Sequence, residues 1–379
     1  MTSTVVFVTH APFIGGAERS LLRLAGGLDP ARYRPFILTG DVGDEVCAGL
    51  HDAHLDYRHV ALPPPDRRRP WPFARSVAQI GRHLLAQRAT VVHTNDAPAH
   101  HAVSLAARLL RLPRVCQVRF TYPAEGLRWW LKWGFERAVF ASEFAKREAQ
   151  RACPELFDEP RCAVVANGFA APPAPDASRV LALRAACGLE AGDTVIGFVG
   201  RVVELKGVAD YLHMASAIIA RHPRCRFLIV GDDHRPASTH RTEMETLADR
   251  LGIASTCRFL GFRNDVWELL HLCDVVVMPS HAEPFGNVAI EAGAAGRALV
   301  AARVGGIPEI VRDGDTGLLV TPADPRALVD AVAQLVADPV RRAALGDRAR
   351  RHIAASFSLP AQARAMMDLY DELRGTGRR

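Results

Sequence analysis

Two glutamates, Glu283 and Glu291, and two cations, Arg201 and Lys206, are the residues of this chain whose type and spacing suit chemistry. Arg grips two oxygens at once through its planar fork and Lys acts as a compact point charge, so the two together suit a diphosphate. Lys206 stands out because it is one of only three lysines in 379 residues. Carboxylates accept hydrogen bonds, so Glu291 suits two vicinal hydroxyls such as those of a ribose, and Glu283 suits hydroxyls of a second sugar. Between them lie Phe285, Gly286 and Asn287, where the amides of a helix start would face a phosphate. The plainer alternative is a solvated, ion-paired loop with carboxylates favoured near a helix start by its dipole. The four residues occurring together favour the ligand-binding reading.

These residues need elements to hold them. The apolar run Asp274–Met278 has the character of a buried parallel strand. It leads into the loop Glu283-Pro-Phe-Gly286 and then a helix carrying Asn287 and Glu291. A second strand, Ala298–Ala301, leads to Gly305-Gly306 and a proline-opened helix at Ile307-Pro308-Glu309. Arg201 and Lys206 flank the loop after another strand, Val195–Val199. Loops at the carboxyl ends of parallel strands are where open α/β sheets bind ligands. Gly197-Phe-Val-Gly200 is not G-x-G-x-x-G, and no acidic residue ends the next strand, which disfavours a nicotinamide enzyme. Asp313-x-Asp315 reads as a glycine turn before Leu318–Val320 rather than a metal site.

Alternating strand and helix patterns run through the chain and predict two α/β halves with parallel, doubly wound sheets. The first half places strands at 4–9, 35–39, 58–62, 90–94, 114–118, 137–141 and 162–166, and the second adds 226–230 and 258–260. A turn at Gly15-Gly16 joins the first strand to a helix. It is either a tight connection or a place where backbone approaches a ligand. Ser142 is a plausible N-cap, and a helix is expected through Trp129–Trp133. The stretch 170–178, AAPPAPDAS, reads as a semi-rigid linker. The expected domains are 1–172, 173–355 and a last helix, 356–379, returning to the first domain.

A chain this long exceeds one ordinary core. No run is long enough to span a bilayer and the start lacks a signal-peptide pattern, so the reading is a cytoplasmic protein. The eight cysteines are scattered, which favours reduced, buried thiols over metal or disulfides. The net charge of +6 arises within residues 1–170, as do four of the five tryptophans. Nucleic acid is a poor fit, because basic residues and aromatics do not interleave in a recognisable binding module. The segment Leu127–Arg137, joined by Arg67-Arg-Arg69-Pro-Trp71, would suit peripheral contact with an anionic membrane. The alternative is a core-facing helix with snorkelling cations.

The second half resembles the C-terminal domain of the retaining glycosyltransferases of GT-B fold, the glycosyl transferases group 1, which include sucrose synthase and phosphatidylinositol mannosyltransferase. Its E-x7-E motif is matched by Glu283 to Glu291, and its Gly-Arg…Lys-Gly segment by Gly200-Arg201…Lys206-Gly207. The GG-x-P-E, D-G-x-x-G-x-L and P-x-D segments are matched at 305–309, 313–318 and 322–324. Gly15-Gly16 and Asn167-Gly168 match weaker N-terminal landmarks.

The resemblance implies two Rossmann-like domains facing each other across a crevice, 1–172 binding the acceptor and 173–355 the donor, and closing over a nucleotide-sugar, a UDP- or GDP-sugar. It implies transfer to a hydroxyl acceptor with retention and without metal or other cofactor. Arg201 and Lys206 would neutralise the leaving diphosphate, Glu291 would bind the ribose, and Glu283 with Phe285–Asn287 the donor sugar. Gly15 and Gly16 would let the first domain approach the phosphates, and Arg263 would flank the base. Many relatives carry a His at the end of the strand matching 114–118, where this chain has Arg119. Arg119 would then contact sugar or acceptor electrostatically, or His93 at the neighbouring strand end would take the role. The alternatives are a nucleotide-sugar-binding protein without turnover, and a sugar-nucleotide epimerase.

Overall fold

The computed structural model describes residues 2–11, 14–40, 43–233 and 239–376. The chain divides into two compact units, Met1–Gly168 with Phe357–Arg379, and Phe169–Ser356. Among the described residues the first unit has seven strands: β1 (Ser3–Thr9), β2 (Tyr33–Thr39), β3 (Tyr57–His59), β4 (Ala89–Thr94), β5 (Arg114–Val118), β6 (Arg137–Phe140) and β7 (Cys162–Val164). The second has six: β8 (Thr194–Val199), β9 (Cys225–Val230), β10 (Cys257–Gly261), β11 (Val275–Met278), β12 (Ala298–Ala302) and β13 (Leu318–Val320).

Both sheets are parallel. Their orders are β3-β2-β1-β4-β5-β6-β7 and β10-β9-β8-β11-β12-β13. The apolar runs behave as two-sided strands should, since helices cover both faces of a parallel sheet. In β1, Val5 and Phe7 join one cluster with Leu21, Leu24 and Tyr370, while Val6 and Val8 join another with Ile80, Leu84 and Val103. Adjacent side chains point to opposite faces, so one strand serves two cores. In the second unit Ile196 and Phe198 pack with Val208, Tyr211 and Leu212. Tyr211 is fully buried and its hydroxyl donates to the Ile196 carbonyl at 2.7 Å, which satisfies its one polar atom.

The last helix, Leu359–Thr376, packs in the first unit against the helix Gly16–Gly27. Met366, Met367 and Tyr370 supply its buried stripe. Tyr33 donates to Asp371 at 2.6 Å, and its ring meets Tyr370 edge-on. Each such large side chain contributes about 1.5–3 kcal/mol on burial.

Three local expectations shift. The helix expected through Trp133 spans Ala124–Trp130 and stops, and Gly134 follows in the left-handed region with φ of 79°. β3 spans Tyr57–His59, starting one residue ahead of the expected 58–62 and ending short of it, and Pro63–Pro65, which follow, supply no N–H to extend the ladder. The segment 170–178 carries no regular structure only as far as Asp176. That carboxylate accepts from the Arg179 N–H at 2.8 Å and caps a helix, Ala177–Ala186, that the sequence reading did not foresee. Ser142 caps as expected, accepting from the Ala145 N–H at 3.0 Å. Among the described residues no helix is long and apolar enough to cross a membrane. All eight cysteines are free thiols.

Candidate functional site

In the second unit the strand order reverses between β8 and β11. The crevice outside the carboxyl ends of such a pair is where open α/β sheets hold ligands. Arg201 and Lys206 leave the end of β8, and Glu283 leaves the end of β11.

The backbone ties these two loops together. Gly207 adopts φ of 68°, and a β-carbon there would lie 2.2 Å from the Pro279 carbonyl oxygen, so only glycine allows the approach. His281 N–H donates to the Leu205 carbonyl at 2.9 Å. From the other side, the Gly306 N–H donates to the Glu283 carbonyl at 3.0 Å. Gly305, at φ of 55°, lies so close that a β-carbon would stand 1.8 Å from the same oxygen. The loop Pro279–Glu283 is therefore held by main-chain contacts at both its ends.

The side chains complete this arrangement. Lys206 Nζ forms an ion pair with Glu283 Oε2, and the two side chains are 22% and 12% exposed. The sequence reading gave these residues separate ligand groups; the fold brings them into contact. Arg201 is exposed and forms no ion pair among the described residues. With Lys206 matched by Glu283, the net positive charge available to an anion is Arg201. Phe285 is buried, and Gly286 stands as N-cap of the helix Asn287–Ala294. Asn287 and Glu291 are one turn apart on that helix and partly exposed, so they share a face.

Arg263 lies after β10 and is held in a fork by Asp265 at 2.8 and 2.6 Å. That hydrogen-bonded pairing raises the Arg263 pKa and lowers that of Asp265. Asp265, which also meets Arg179 at 3.3 Å, was not singled out from sequence. Its only signal was the spacing Arg-Asn-Asp. Asp313 pairs with Arg303 and accepts from the Leu319 N–H at 2.9 Å; Asp315 pairs with Arg348 at 2.9 Å. Both carboxylates brace a turn. No group of three or more His, Cys, Asp or Glu among the described residues is placed to hold a metal ion.

In the first unit, Gly15 and Gly16 open the helix Gly16–Gly27, and the Gly15 N–H donates to Glu18 Oε2 at 3.0 Å. Pro12 and Phe13 of the same turn lie outside the described residues. Arg119 is buried and its guanidinium is occupied. It donates to the Asn95 carbonyl at 3.2 Å and Asn95 Oδ1 at 2.7 Å, to Ser20 Oγ at 3.1 Å, and to Asn167 Oδ1 at 3.0 Å. Burial pulls its pKa down to about 10, with Glu18 and Asp96 opposing, so it stays charged. Ser20, Asn95 and Asn167 were missed as a set because they come from one helix and two loops far apart in sequence.

His93 is not at the surface of the strand end. It is 0% exposed, and its Nδ1 lies 2.6 Å from the Tyr370 hydroxyl. Burial, with Arg119 adding repulsion, lowers its pKa to about 3. A neutral imidazole under the last helix has the surroundings of a core residue, which weighs against the expectation that His93 takes the place of the strand-end histidine.

Comparisons with known proteins agree with this geometry. Residues 182–352 match the family described as glycosyl transferases group 1, and residues 14–170 match glycosyltransferase family 4. The D-inositol 3-phosphate glycosyltransferase of Corynebacterium jeikeium is 40% identical over 189 residues, 49% of this chain and 45% of that protein. The D-inositol 3-phosphate glycosyltransferase 2 of Catenulispora acidiphila is 40% identical over 195 residues, 50% of this chain and 45% of that protein. The match thus spans about half the length of these curated relatives. Among solved structures, Anabaena Alr3699/HepE in complex with UDP-glucose has a TM-score of 0.85 at 23% identity, covering 97% of this chain and 99% of that one. Sucrose-phosphate synthase from Thermosynechococcus elongatus has a TM-score of 0.80 at 21% identity, covering 99% of this chain and 100% of that one. At such identities the likeness is one of fold. On these grounds the second half of the chain is a glycosyl transferases group 1 domain, the first half matches glycosyltransferase family 4, and the chain has the GT-B fold.

Proposed function

We propose that this protein transfers a sugar from a nucleoside diphosphate sugar, a UDP- or GDP-sugar, to an acceptor hydroxyl, with retention at the anomeric carbon and without a metal ion. The observation that carries the reading is the braced pairing of Lys206 and Glu283 at the β8/β11 switch point, with Arg201 exposed beside it. An arriving diphosphate offers Lys206 a second anion, and Glu283 is then able to accept hydrogen bonds from the donor sugar. Arg201 adds bidentate contact to the phosphate oxygens. Glu291 takes the ribose hydroxyls and Arg263 stands near the base, its fork already oriented by Asp265. These fixed cations and helix-start amides meet the charge that develops on the leaving group.

In the reaction the bond from the anomeric carbon to the diphosphate oxygen breaks and the bond to the acceptor oxygen forms on the same face. The acceptor proton passes to the departing diphosphate, so no protein nucleophile is required. Buried His93 and Arg119, four of whose N–H groups are engaged within the protein, fit a reaction driven from the donor side. They equally motivate the second reading, a nucleotide-sugar-binding protein without turnover. Peripheral contact with an anionic membrane is supported by the exposed Trp71 and Trp129, the latter with Lys132 Nζ 4.0 Å from its ring centroid.

A thermal-shift screen of the full chain against UDP- and GDP-sugars, with and without chelator, tests the reading. A donor at a hundred times its dissociation constant stabilises by about 2.7 kcal/mol. NMR of the product formed with any accepted hydroxyl then reports the anomeric configuration. An inverted product or a chelator-dependent rate overturns the mechanism. Binding with neither transfer nor hydrolysis selects the second reading.

A further inference from the structure

The reading above leaves the acceptor unplaced, and the first unit has its own topological switch point, between β1 and β4. Asp96 follows the end of β4, and Phe120 and Tyr122 follow the end of β5, its neighbour in the sheet. The Tyr122 hydroxyl lies 2.5 Å from both carboxylate oxygens of Asp96 and donates to them. Asp96 Oδ1 also accepts from the Ala97 N–H at 2.8 Å; Oδ2 receives only Tyr122 among the described residues. One lone pair of Oδ2 and the acceptor side of the tyrosine hydroxyl are thus open to a ligand. Asp96 and Tyr122 both remain partly accessible.

Beside them stands an aromatic row. Trp130 meets Tyr122 edge-on at 5.2 Å, and Tyr122 meets Phe120 edge-on at 6.0 Å. Phe120 is 43% exposed although it sits next to fully buried strand residues. Phe120 thus offers an open apolar face next to a carboxylate that can still accept a hydrogen bond. A ring that is apolar on its C–H faces and hydroxylated at its edge matches this surface.

We propose that Phe120, Tyr122 and Asp96 form a subsite for a polyhydroxylated ring of the acceptor, with Phe120 against a C–H face and Asp96 and Tyr122 accepting from ring hydroxyls. The proposal rests on the reading of the protein as a transferase to hydroxyls. Arg119 and Glu18 are the charged groups nearest Asp96, the first favouring its ionised form and the second opposing it. Burial raises Asp96 to about 6, and the carboxylate is ionised at neutral pH, the state that accepts most strongly. Arg119 carries no ligand here; it ties Asn95, the residue before Asp96, to Ser20 and Asn167.

Saturation-transfer NMR of the full chain with methyl α-D-glucopyranoside and with myo-inositol, and separately with UDP-glucose, tests the subsite. Ring C–H signals of at least one of the two polyols are expected in the wild type. Phe120→Ala, at an exposed position, is expected to cut them about threefold. Asp96→Asn and Tyr122→Phe, the latter keeping the aromatic row intact, are expected to raise the polyol dissociation constant about tenfold. UDP-glucose binding is expected to stay the same in all three. Polyol signals equal to wild type in Phe120→Ala and Tyr122→Phe, or no polyol signal in the wild type, overturn the subsite. Polyol binding that depends on these residues in a protein that binds no nucleotide-sugar leaves the subsite standing and removes the transferase reading instead.

Discussion

Lys206 and Glu283, 77 positions apart in sequence, meet as a shielded ion pair over the β8/β11 switch point. Each is the other's neutralising partner until an anion competes. The pair thus keeps a lysine and a carboxylate in place at little electrostatic cost.

Lys206→Ala is expected to weaken nucleotide-sugar binding about 10–100-fold, the worth of a charge-assisted hydrogen bond. Glu283→Gln is expected to weaken sugar-bearing nucleotides but leave the bare nucleoside diphosphate bound as in the wild type. Calorimetric titration of both ligands separates the two. A double-mutant cycle on thermal unfolding is expected to give a coupling of about 1–3 kcal/mol, since neither side chain is well exposed. Additive single effects would deny the ion pair.

Gly305→Ala places a methyl group into the Glu283 carbonyl, in addition to the backbone strain of its left-handed conformation. Gly252 shares that conformation, with φ of 70°, but has nothing within 4 Å of the added carbon. Gly252→Ala is expected to cost about 1–2 kcal/mol. Gly305→Ala is expected to cost clearly more in denaturant unfolding and also to lower donor affinity. Equal costs would mean that the close approach does not matter.

Arg119→Lys retains charge and loses the fork that reaches Asn95, Ser20 and Asn167 together. A loss of about 3–5 kcal/mol is expected, as for breaking a buried charged network. Chemical denaturation measures it. A variant as stable as wild type would free Arg119 for a direct role with substrate.

His93 gives the protein an acid sensitivity of definite sign. Its pKa falls from the ordinary value of about 6.5 to about 3 on folding, so below pH 6.5 the unfolded chain binds the extra proton. Stability from this group is full above pH 6.5 and is lost as pH drops toward 3, by about 2 kcal/mol at pH 5. Asp96, raised to about 6, acts oppositely between about pH 4 and 6, so the comparison must be with His93→Gln rather than across pH alone. The variant is expected to lose less stability than wild type between pH 7 and 5 in urea unfolding. Parallel curves would contradict the buried, neutral imidazole.

The strands of both sheets are a property of the local sequence. Thirteen apolar runs, bounded by glycine, proline and polar clusters, are legible because a strand buried on both faces must be apolar throughout. Arg201, Lys206 and Glu283 were legible as candidates because they stand in loops that follow such runs, and Glu291 because it lies one turn into the helix after such a loop. Local pattern was less reliable where short-range signals compete. The Trp129–Trp133 stretch is rich in helix-compatible residues, yet the helix stops at Trp130. The helix at Ala177 hid inside an apparently linking composition until the Asp176 cap was seen.

Which residues meet is a property of the packed chain. That Lys206 finds Glu283, that Arg119 is spent on Asn95, Ser20 and Asn167, and that Tyr370 seals His93 all depend on contacts between distant segments. Such contacts are set by strand order and by the close approaches that Gly207 and Gly305 permit. Periodicity fixes which face of an element is apolar, a short-range property. It carries no information on which charge lies opposite, because that depends on packing across the sheet.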